Sequence, residues 1–268
     1  MARTYVVTGA ASGVGAATVA RLRGQDMHVI GVDLRDAEIV GDLSTAAGRA
    51  AAAASAIALA GGQVDAVIAC AGISAPISKT VSVNYFGTVE FLEAMRPALL
   101  ASPAPRVAVV SSMASLQPVA PALVDACLAG DEALAIQLGD GLATQGPQVG
   151  FLNYSSSKRA LSRWTRRASI LPEWAGAGIP VNAVGPGTIV TPMTAELLST
   201  PEGRAMVDAA VPMPLNYHQG PEVIADLLIW LTSEENTHCA GQTIYCDGGA
   251  DVTLRGDDIW SWNDPQVG

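Results

Sequence analysis

Two side chains four residues apart, Tyr154 and Lys158, could together carry acid-base chemistry. On a helix, residues at this spacing lie on the same face, so the phenol and the ammonium would share one space. A free phenol titrates near about 10, and a cation roughly 4 Å away at an effective dielectric of about 20 is worth about 4 kcal/mol, or roughly three pKa units. The spacing therefore predicts a phenol that exchanges protons near neutral pH. Only Lys79 and Lys158 are lysines, so the pairing seldom arises by chance.

A glycine-rich run lies near the start of the chain, between a predicted strand, Thr4 to Thr8, and a predicted helix, Ala16 to Arg23. Glycines let the backbone approach a pyrophosphate closely, and the helix N-terminus offers free N–H groups and a positive dipole end. A flexible turn is the alternative interpretation. The candidate cofactor-binding residues here are Gly9, Ser12, Gly13, Val14 and Gly15.

An acidic residue ends the second predicted strand, Met27 to Val32. Asp33 stands 18 residues beyond Gly15, where a carboxylate can accept hydrogen bonds from adenosine ribose hydroxyls and repel a 2′-phosphate. The position favours NAD over NADP, although Arg35 could partly offset the repulsion. Asp33 could also be a turn residue or a helix cap.

The next two predicted strands, Ala37 to Asp42 and Val64 to Cys70, also end near candidate cofactor contacts. Asp42 and Leu43 could meet the adenine edge, and Ser44 could cap an alanine-rich helix. The small residues that follow the fourth strand would let a cofactor lie against backbone, or could form a tight turn. These residues are Cys70, Ala71 and Gly72.

Two further polar groups are candidates for handling the substrate oxygen. Ser112 follows Ser111 at the end of the fifth predicted strand, Arg106 to Val110, where parallel sheets place their ligands. Asn84 interrupts a predicted helix, Lys79 to Leu100, and indicates a local distortion that holds a water. A purely structural role for Asn84 and a role in proton relay both remain open.

Strands and helices alternate along the chain, which predicts a doubly wound parallel α/β sheet, the Rossmann fold, with helices on both faces. Residues 1–268 form one predicted domain. A sixth strand, Ile179 to Val184, precedes the last group of candidate cofactor contacts. This group is Pro186, Gly187, Ile189 and Thr191.

Composition excludes several classes of partner. The formal charge of −10 argues against nucleic acid and anionic membranes, and no run of about 18 apolar residues suggests a membrane span. Neither the four cysteines nor the three histidines show the spacing of metal ligands, so no metal is predicted. Reduced thiols and the lack of a signal region predict a cytoplasmic protein.

These motifs, taken together in this order, resemble those of the short-chain dehydrogenase/reductase family over nearly the whole chain. Cys70-Ala71-Gly72 departs from the family's usual Asn-Asn-Ala-Gly, which puts one backbone-organising contact in doubt. Three features resemble a branch of bacterial 3α-hydroxysteroid dehydrogenases and carbonyl reductases. They are the sequence around Asp33, the sequence around Asn84, and the long separation of Ser112 from Tyr154.

The resemblance implies a role for each matching residue. Tyr154 would be the general acid and base, and Ser112 would orient the substrate oxygen. Lys158 would bind the nicotinamide ribose and lower the phenol's pKa, Asn84 would hold a relay water, and Thr191 would bond the nicotinamide carboxamide. A dinucleotide-binding sensor without turnover is the alternative in another class of function.

About thirty residues, 116–149, are inserted relative to the family between Ser112 and Tyr154. Pro121 to Ala129 and Asp131 to Leu138 read as short helices that end at Gly130 and Gly139. We expect them to cover a subunit interface and leave a homodimer rather than a tetramer. A flap over the substrate is the alternative role.

Residues 188–219 form the predicted substrate loop, which is rich in Ile, Val, Leu and Met but has one basic residue, Arg204. This composition favours a bulky apolar ketone or secondary alcohol. Aryl ketones, terpenoid alcohols and small diols remain alternatives, and the apolar side chains could instead pack the loop onto the body. Ile259, Trp260 and Trp262 could close this cleft or a neighbouring subunit's.

Overall fold

The computed structural model describes residues 2–263, in which seven parallel strands form one sheet of order β3-β2-β1-β4-β5-β6-β7. The order reverses direction between β1 and β4, so the sheet is doubly wound as predicted. The strands are β1 Thr4–Thr8, β2 His28–Asp33, β3 Ile39–Val40, β4 Ala66–Ala69, β5 Arg106–Val110, β6 Val181–Pro186 and β7 Thr243–Cys246.

Helices cover both faces of the sheet and divide the buried side chains into two clusters. Along β1, Val6 faces one cluster while Tyr5 and Val7 face the other, as the two-residue period of a strand requires. The helices are α1 Gly13–Arg23, α2 Ala46–Leu59, α3 Lys79–Val81, α4 Gly87–Leu100, α5 Pro121–Ala129, α6 Glu132–Ala143, α7 Pro147–Gly150, α8 Leu152–Ala168, α9 Pro201–Ala210, α10 Pro221–Leu231 and α11 Ala250–Arg255.

The inserted segment contains α5, α6 and α7, and α5 packs on α8. Leu123 and Cys127 of α5 are fully buried in the same cluster as Leu161 of α8. Arg163 of α8 also pairs with Asp125 of α5 at 3.6 Å. These contacts agree with an insertion that covers α8, while the alternative of a flap over the substrate stays open.

A buried cation ties the insertion to the body of the fold. Arg49 of α2 is 1% exposed. Its Nε donates to Glu90 of α4 at 2.8 Å, and its Nη1 donates to Glu132 of α6 at 3.2 Å. The two carboxylates offset the desolvation of the guanidinium, so three helices meet at one ion cluster.

The prediction that Gly139 ends a helix is wrong, because α6 continues to Ala143. A Cβ at Gly139 would overlap the side-chain oxygen of Asn153 and lie 3.0 Å from the Cβ of Ser78. Its small size therefore serves a close helix contact. The prediction that Ser44 caps α2 is also wrong: Thr45 is the cap, and its hydroxyl accepts from the Gly48 amide at 3.1 Å.

Among residues 2–263, no helix is long and apolar enough to cross a membrane.

Candidate active site

Five strands deliver the predicted site residues to one edge of the sheet, because the carboxyl ends of parallel strands lie together. β1 leads to the glycine-rich turn and β2 ends at Asp33. β4 precedes Cys70, β5 precedes Ser112, and β6 ends at Pro186.

The glycine-rich turn forms a cradle that leaves no room for a side chain at Gly9 or Gly15. Gly9 has φ +69°, and a Cβ there would lie 2.8 Å from the backbone nitrogen of Ala71. A Cβ at Gly15 would overlap the Gly9 carbonyl oxygen. Helix α1 begins at Gly13, after an extended Ser12 whose side chain does not cap it. The bare backbone and the helix N-terminus fit a dinucleotide pyrophosphate.

The opposite wall of this cradle comes from the segment after β6. A Cβ on Gly13 would lie 3.6 Å from the Thr191 methyl group. The Thr191 amide donates to the Thr194 hydroxyl at 3.1 Å, which fixes the turn. Ile189 instead packs into the core and is 8% exposed. Thr191 therefore turns its methyl group to the cradle, while its hydroxyl lies 3.5 Å from the Thr194 hydroxyl.

Asp33 lies beside the glycine turn and its carboxylate holds local backbone. One oxygen accepts from the Ala11 amide at 3.0 Å and the other from the Leu34 amide at 2.7 Å. Arg35 has an 84% exposed side chain and lies 4.0 Å from Asp36. The guanidinium therefore lies in solvent and its ion pair is with Asp36 rather than with Asp33.

The two predicted adenine contacts differ in what they can offer. The Asp42 carboxylate accepts from the Ser44 amide at 2.9 Å, and hydrogen bonds with Ser44 hold its pKa below the usual range. Leu43 is 6% exposed, with its side chain in the core. The Leu43 backbone, rather than its side chain, can therefore contact a ligand.

Asn84 lies in a π-helical turn, Ser82–Phe86, inserted between α3 and α4. This turn is the predicted distortion. The Asn84 side chain accepts from the Ile73 amide at 2.9 Å, and donates to the Ile73 carbonyl at 3.0 Å and to the Ser157 hydroxyl at 3.2 Å. These bonds satisfy the structural role, while the relay role stays a prediction.

Gly72 faces both Asn84 and Lys158. A Cβ on Gly72 would lie 3.2 Å from the Asn84 side-chain oxygen and 3.6 Å from the Lys158 Nζ. Just before it, burial raises the pKa of the Cys70 thiol to about 12, although Lys158 acts in the opposite direction. Cys70, in the segment that stands in place of the family's Asn pair, therefore presents a neutral thiol near the Lys158 ammonium.

Three buried serines between Tyr154 and Lys158 fix α8 against its surroundings. Ser155 donates to the Pro118 carbonyl at 2.7 Å, and Ser156 accepts from the Ala120 amide at 3.0 Å. Ser157 donates to the Tyr154 carbonyl at 2.7 Å. Ser155 and Ser156 thus bond the segment that leads from Ser112 to α8. These bonds help to hold α8 in place relative to β5.

Ser112 caps a short 3₁₀ turn, Met113–Leu116, and its Oγ accepts from the Ala114 amide at 3.1 Å. Burial raises the pKa of the Tyr154 phenol above its usual value, whereas the nearby Ser112 side chain lowers it. The serine therefore lies close enough to the phenol to affect its proton affinity.

That Lys158 lowers the Tyr154 pKa stays a prediction, because the effects that act on this phenol here are burial and Ser112. The Lys158 Nζ lies 5.9 Å from the Tyr154 ring centroid and donates to the Val110 carbonyl at 2.8 Å. Burial also lowers the pKa of the ammonium itself from 10.5 to about 8. The phenol's environment is thus set first by burial and then by Ser112.

Two cavities lie beside this edge, of about 820 and 630 Å³. Met213 lines both, and its sulfur accepts from the Thr188 amide at 3.4 Å. Neither cavity is lined by Tyr154 or Ser112. They adjoin the site through Met213 and through Tyr245, which lines the smaller one.

The predicted substrate loop exposes five of its ten Ile, Val, Leu and Met side chains. Helix α9 has no buried residue, and Leu198 of the preceding turn is 8% exposed. The five exposed side chains, at 42% to 60%, are Val190, Met193, Leu197, Met206 and Leu215. Packing onto the body therefore accounts for only part of the loop's apolar composition. Trp260 and Trp262 are 70% and 84% exposed and line neither cavity.

Sequence reasoning missed the contribution of β7. Tyr245 of this strand bonds Ser115, in the turn that follows Ser112, with 2.8 Å between the two oxygens. The alternating run Gln242 to Cys246 could have revealed the strand, but nothing in the sequence links Tyr245 to Ser115.

Comparisons with known proteins agree with this geometry. The family model described as enoyl-(acyl carrier protein) reductase matches residues 9–251. A 3-alpha-hydroxysteroid dehydrogenase/carbonyl reductase of Comamonas testosteroni is 35% identical over 93% of this chain and 97% of its own length. A 3beta-hydroxysteroid dehydrogenase 1 of Eggerthella lenta is 30% identical over 92% of this chain and 93% of its own.

Among solved structures, the 3-alpha-hydroxysteroid dehydrogenase of Pseudomonas sp. B-0831 complexed with NADH has a TM-score of 0.86. It shares 34% identity, and the match covers 96% of this chain and 100% of that one. The likeness extends over the whole sheet and the segments at its carboxyl edge.

Proposed function

Because the chain belongs to the short-chain dehydrogenase/reductase family, we propose that it is an NAD-dependent oxidoreductase that interconverts a bulky, largely apolar secondary alcohol and its ketone. The observation that carries this proposal is that Tyr154 lies near both Ser112 and Lys158, in a chain whose loop after β6 exposes apolar side chains. The hydroxysteroid dehydrogenases among its relatives support the same substrate class.

In this proposal Tyr154 holds the proton that is exchanged with the substrate oxygen. Burial raises the pKa of the phenol, so it carries its proton at neutral pH and is ready to donate it during ketone reduction. Ser112 accepts from the Ala114 amide, which leaves its own O–H free to donate to the substrate oxygen. In alcohol oxidation the same phenol oxygen receives the proton.

The family binds a nicotinamide dinucleotide, which supplies or accepts the hydride when bound. Lys158 is suited to hold its ribose. Its Nζ has three donor positions, and the Val110 carbonyl occupies only one of them. Asn84 is proposed to bind the relay water. The proposed contacts are Gly9, Ser12, Gly13, Val14, Gly15, Asp33, Asp42, the Leu43 backbone, Cys70, Ala71, Gly72, Tyr154, Lys158, Pro186, Gly187, Ile189 and Thr191.

NAD is the proposed cofactor because Asp33 lies beside the glycine turn while Arg35 points to solvent. A 2′-phosphate beside this carboxylate would be repelled without a nearby cation to offset the repulsion. We also propose that the protein works in the cytoplasm, where its four free cysteines stay reduced.

The proposal is tested by measuring kcat/KM for a 3-keto steroid, an aryl ketone and a small hydroxy acid with NAD(H) and NADP(H). We expect the steroid to be preferred and NAD(H) to be favoured by at least about tenfold, which corresponds to about 1.4 kcal/mol. A preference for the hydroxy acid would refute the substrate class. Nucleotide binding without turnover of any alcohol or ketone would instead favour a sensor.

A further inference from the structure

Tyr245 lies directly over the backbone that presents Ser112. Gly185 of β6 is the register partner of Tyr245. A Cβ on Gly185 would lie 2.6 Å from the Tyr245 ring and 3.5 Å from the Ser112 carbonyl carbon. The glycine therefore opens the space in which the tyrosine ring and the Ser112 backbone meet.

The Tyr245 hydroxyl reaches the turn that Ser112 caps. It lies 2.8 Å from the Oγ of Ser115, which is 1% exposed. The Ser115 amide in turn donates to the Ser112 carbonyl at 3.0 Å. One residue thus links the tyrosine to Ser112 through two hydrogen bonds, and the hydroxyl pair is shielded in part from water.

The same turn and the same ring are each held from a second side. Arg159 of α8 donates through Nε to the Ser115 carbonyl and through Nη2 to the Gln117 carbonyl, at 3.2 Å for the latter. On the far side of the ring, the Arg255 guanidinium lies 5.5 Å from the Tyr245 centroid and pairs with Asp251. The ring is therefore fixed between α11 and the Ser112 turn.

We propose that Tyr245 is a positioning residue for Ser112: through Ser115 it holds the 3₁₀ turn so that the Ser112 hydroxyl meets both Tyr154 and the substrate oxygen. This inference rests on the proposed function. Tyr245 itself need not touch the reacting atoms. The Ser112 hydroxyl must accept a hydrogen bond from the Ala114 amide and donate one to the substrate oxygen, so its orientation is narrowly defined. A small displacement of the turn therefore lowers kcat.

The test compares Tyr245→Phe, which keeps the ring and removes the hydroxyl, with Ser115→Ala and with the double variant. Tyr5→Phe is the control, since Tyr5 likewise lies on a strand and its hydroxyl bonds the Thr232 carbonyl at 3.5 Å in another part of the sheet. We expect each single variant to lower kcat about 5- to 10-fold, the usual effect of one lost hydrogen bond. The double variant should be no slower than the slower single, because both changes break the same contact.

The pH profile separates positioning from general damage. The Ser112 side chain lowers the Tyr154 pKa, so loosening Ser112 should raise it. Ketone reduction needs the protonated phenol, and its rate falls as the pH rises through that pKa. The falling limb should therefore move to higher pH in Tyr245→Phe and Ser115→Ala, and stay in place in Tyr5→Phe.

A second readout does not depend on turnover. Hydrogen exchange at the Ala114, Ser115 and Gln117 amides reports the turn directly, since each amide is bonded within it. We expect faster exchange in Tyr245→Phe and unchanged exchange in Tyr5→Phe. Unchanged exchange in Tyr245→Phe, an effect on KM alone, or multiplicative losses in the double variant would each overturn the inference. If the unmodified protein turned over no substrate, the proposed function would fail, whereas exchange would still decide whether Tyr245 holds the turn.

Discussion

At the scale of single residues, Tyr154 is the group on which the proposed chemistry depends. Tyr154→Phe removes the transferable proton but leaves the ring, which lies 5.9 Å from the Lys158 Nζ. We expect kcat to fall by at least about 100-fold, the usual scale for loss of a general acid, while the affinity for NADH stays similar. Steady-state kinetics and fluorescence titration of NADH measure the two quantities. Activity near that of the unmodified protein would exclude Tyr154 as the acid.

Lys158 should titrate in an unusual range for a lysine. Burial lowers its pKa to about 8, whereas the unfolded chain holds the proton up to the ordinary value near about 10.4. Between these values the unfolded state binds more protons at this site, so raising the pH through this range favours folding. Nitrogen NMR of lysine side chains, without added nucleotide, measures this pKa. Lys79→Arg leaves Lys158 as the single lysine and assigns the signal.

An upward shift of the Lys158 pKa, or none, would contradict the buried environment. Lys158→Met should abolish the site's contribution to the pH dependence of unfolding.

The sequence identified the residues of the site better than it identified their electrostatics. The spacing of Tyr154 and Lys158 predicted that they share a helix face, and α8 confirms this. Spacing alone could not reveal that Nζ turns to the Val110 carbonyl, or that burial dominates the phenol's pKa. Both depend on β5 and on side chains far away in the chain.

At the scale of elements, the insertion should owe part of its attachment to Arg49. Glu132 of α6 has a 24% exposed side chain and shares this buried guanidinium with Glu90. Glu132→Gln leaves one carboxylate opposite the cation, and we expect the free energy of unfolding to fall by about 1–3 kcal/mol.

Asp125→Asn is the control for this prediction, because Asp125 lies on α5 of the same insertion with a 72% exposed side chain. Its exposed pair with Arg163 should contribute less than about 1 kcal/mol. Urea unfolding of the three proteins measures both changes. Equal losses in the two variants would contradict a special role for Arg49.

Element bounds were predictable where local chemistry decides them. Gly130 adopts φ +75° and ends α5 at the predicted residue. Gly139 failed as a stop because its smallness serves the approach of Asn153, a contact between helices that no local pattern records. The third strand, Ile39–Val40, is shorter than predicted. At its start the Gly31 amide of β2 donates to the Glu38 carboxylate at 2.8 Å instead of to strand backbone.

At the scale of the whole molecule, the covering of α8 by α5 leads to a prediction about assembly. Buried Leu123 and Cys127 occupy a face of α8 that is then unavailable to another subunit. We expect a dimer, with twice the chain mass of 27.4 kDa, in light scattering over a range of concentrations. A species of four chains would contradict the interpretation that the insertion blocks an interface.

The insertion also constrains how related sequences can evolve. Polar groups of α8 find their partners inside it: Asn153 donates to the Gly139 carbonyl at 3.0 Å, Ser155 bonds Pro118, and Ser156 bonds Ala120. A lineage that lost residues 116–149 would leave the Ser155 and Ser156 hydroxyls without these partners, at a cost of about 1–3 kcal/mol each, while Asn153 would keep the Gly150 carbonyl at 3.0 Å. A protein that lost the insertion would therefore need compensating substitutions on α8 to keep its fold stable. Gly139 and Asn153 should accordingly be inherited or replaced together, as one historical unit.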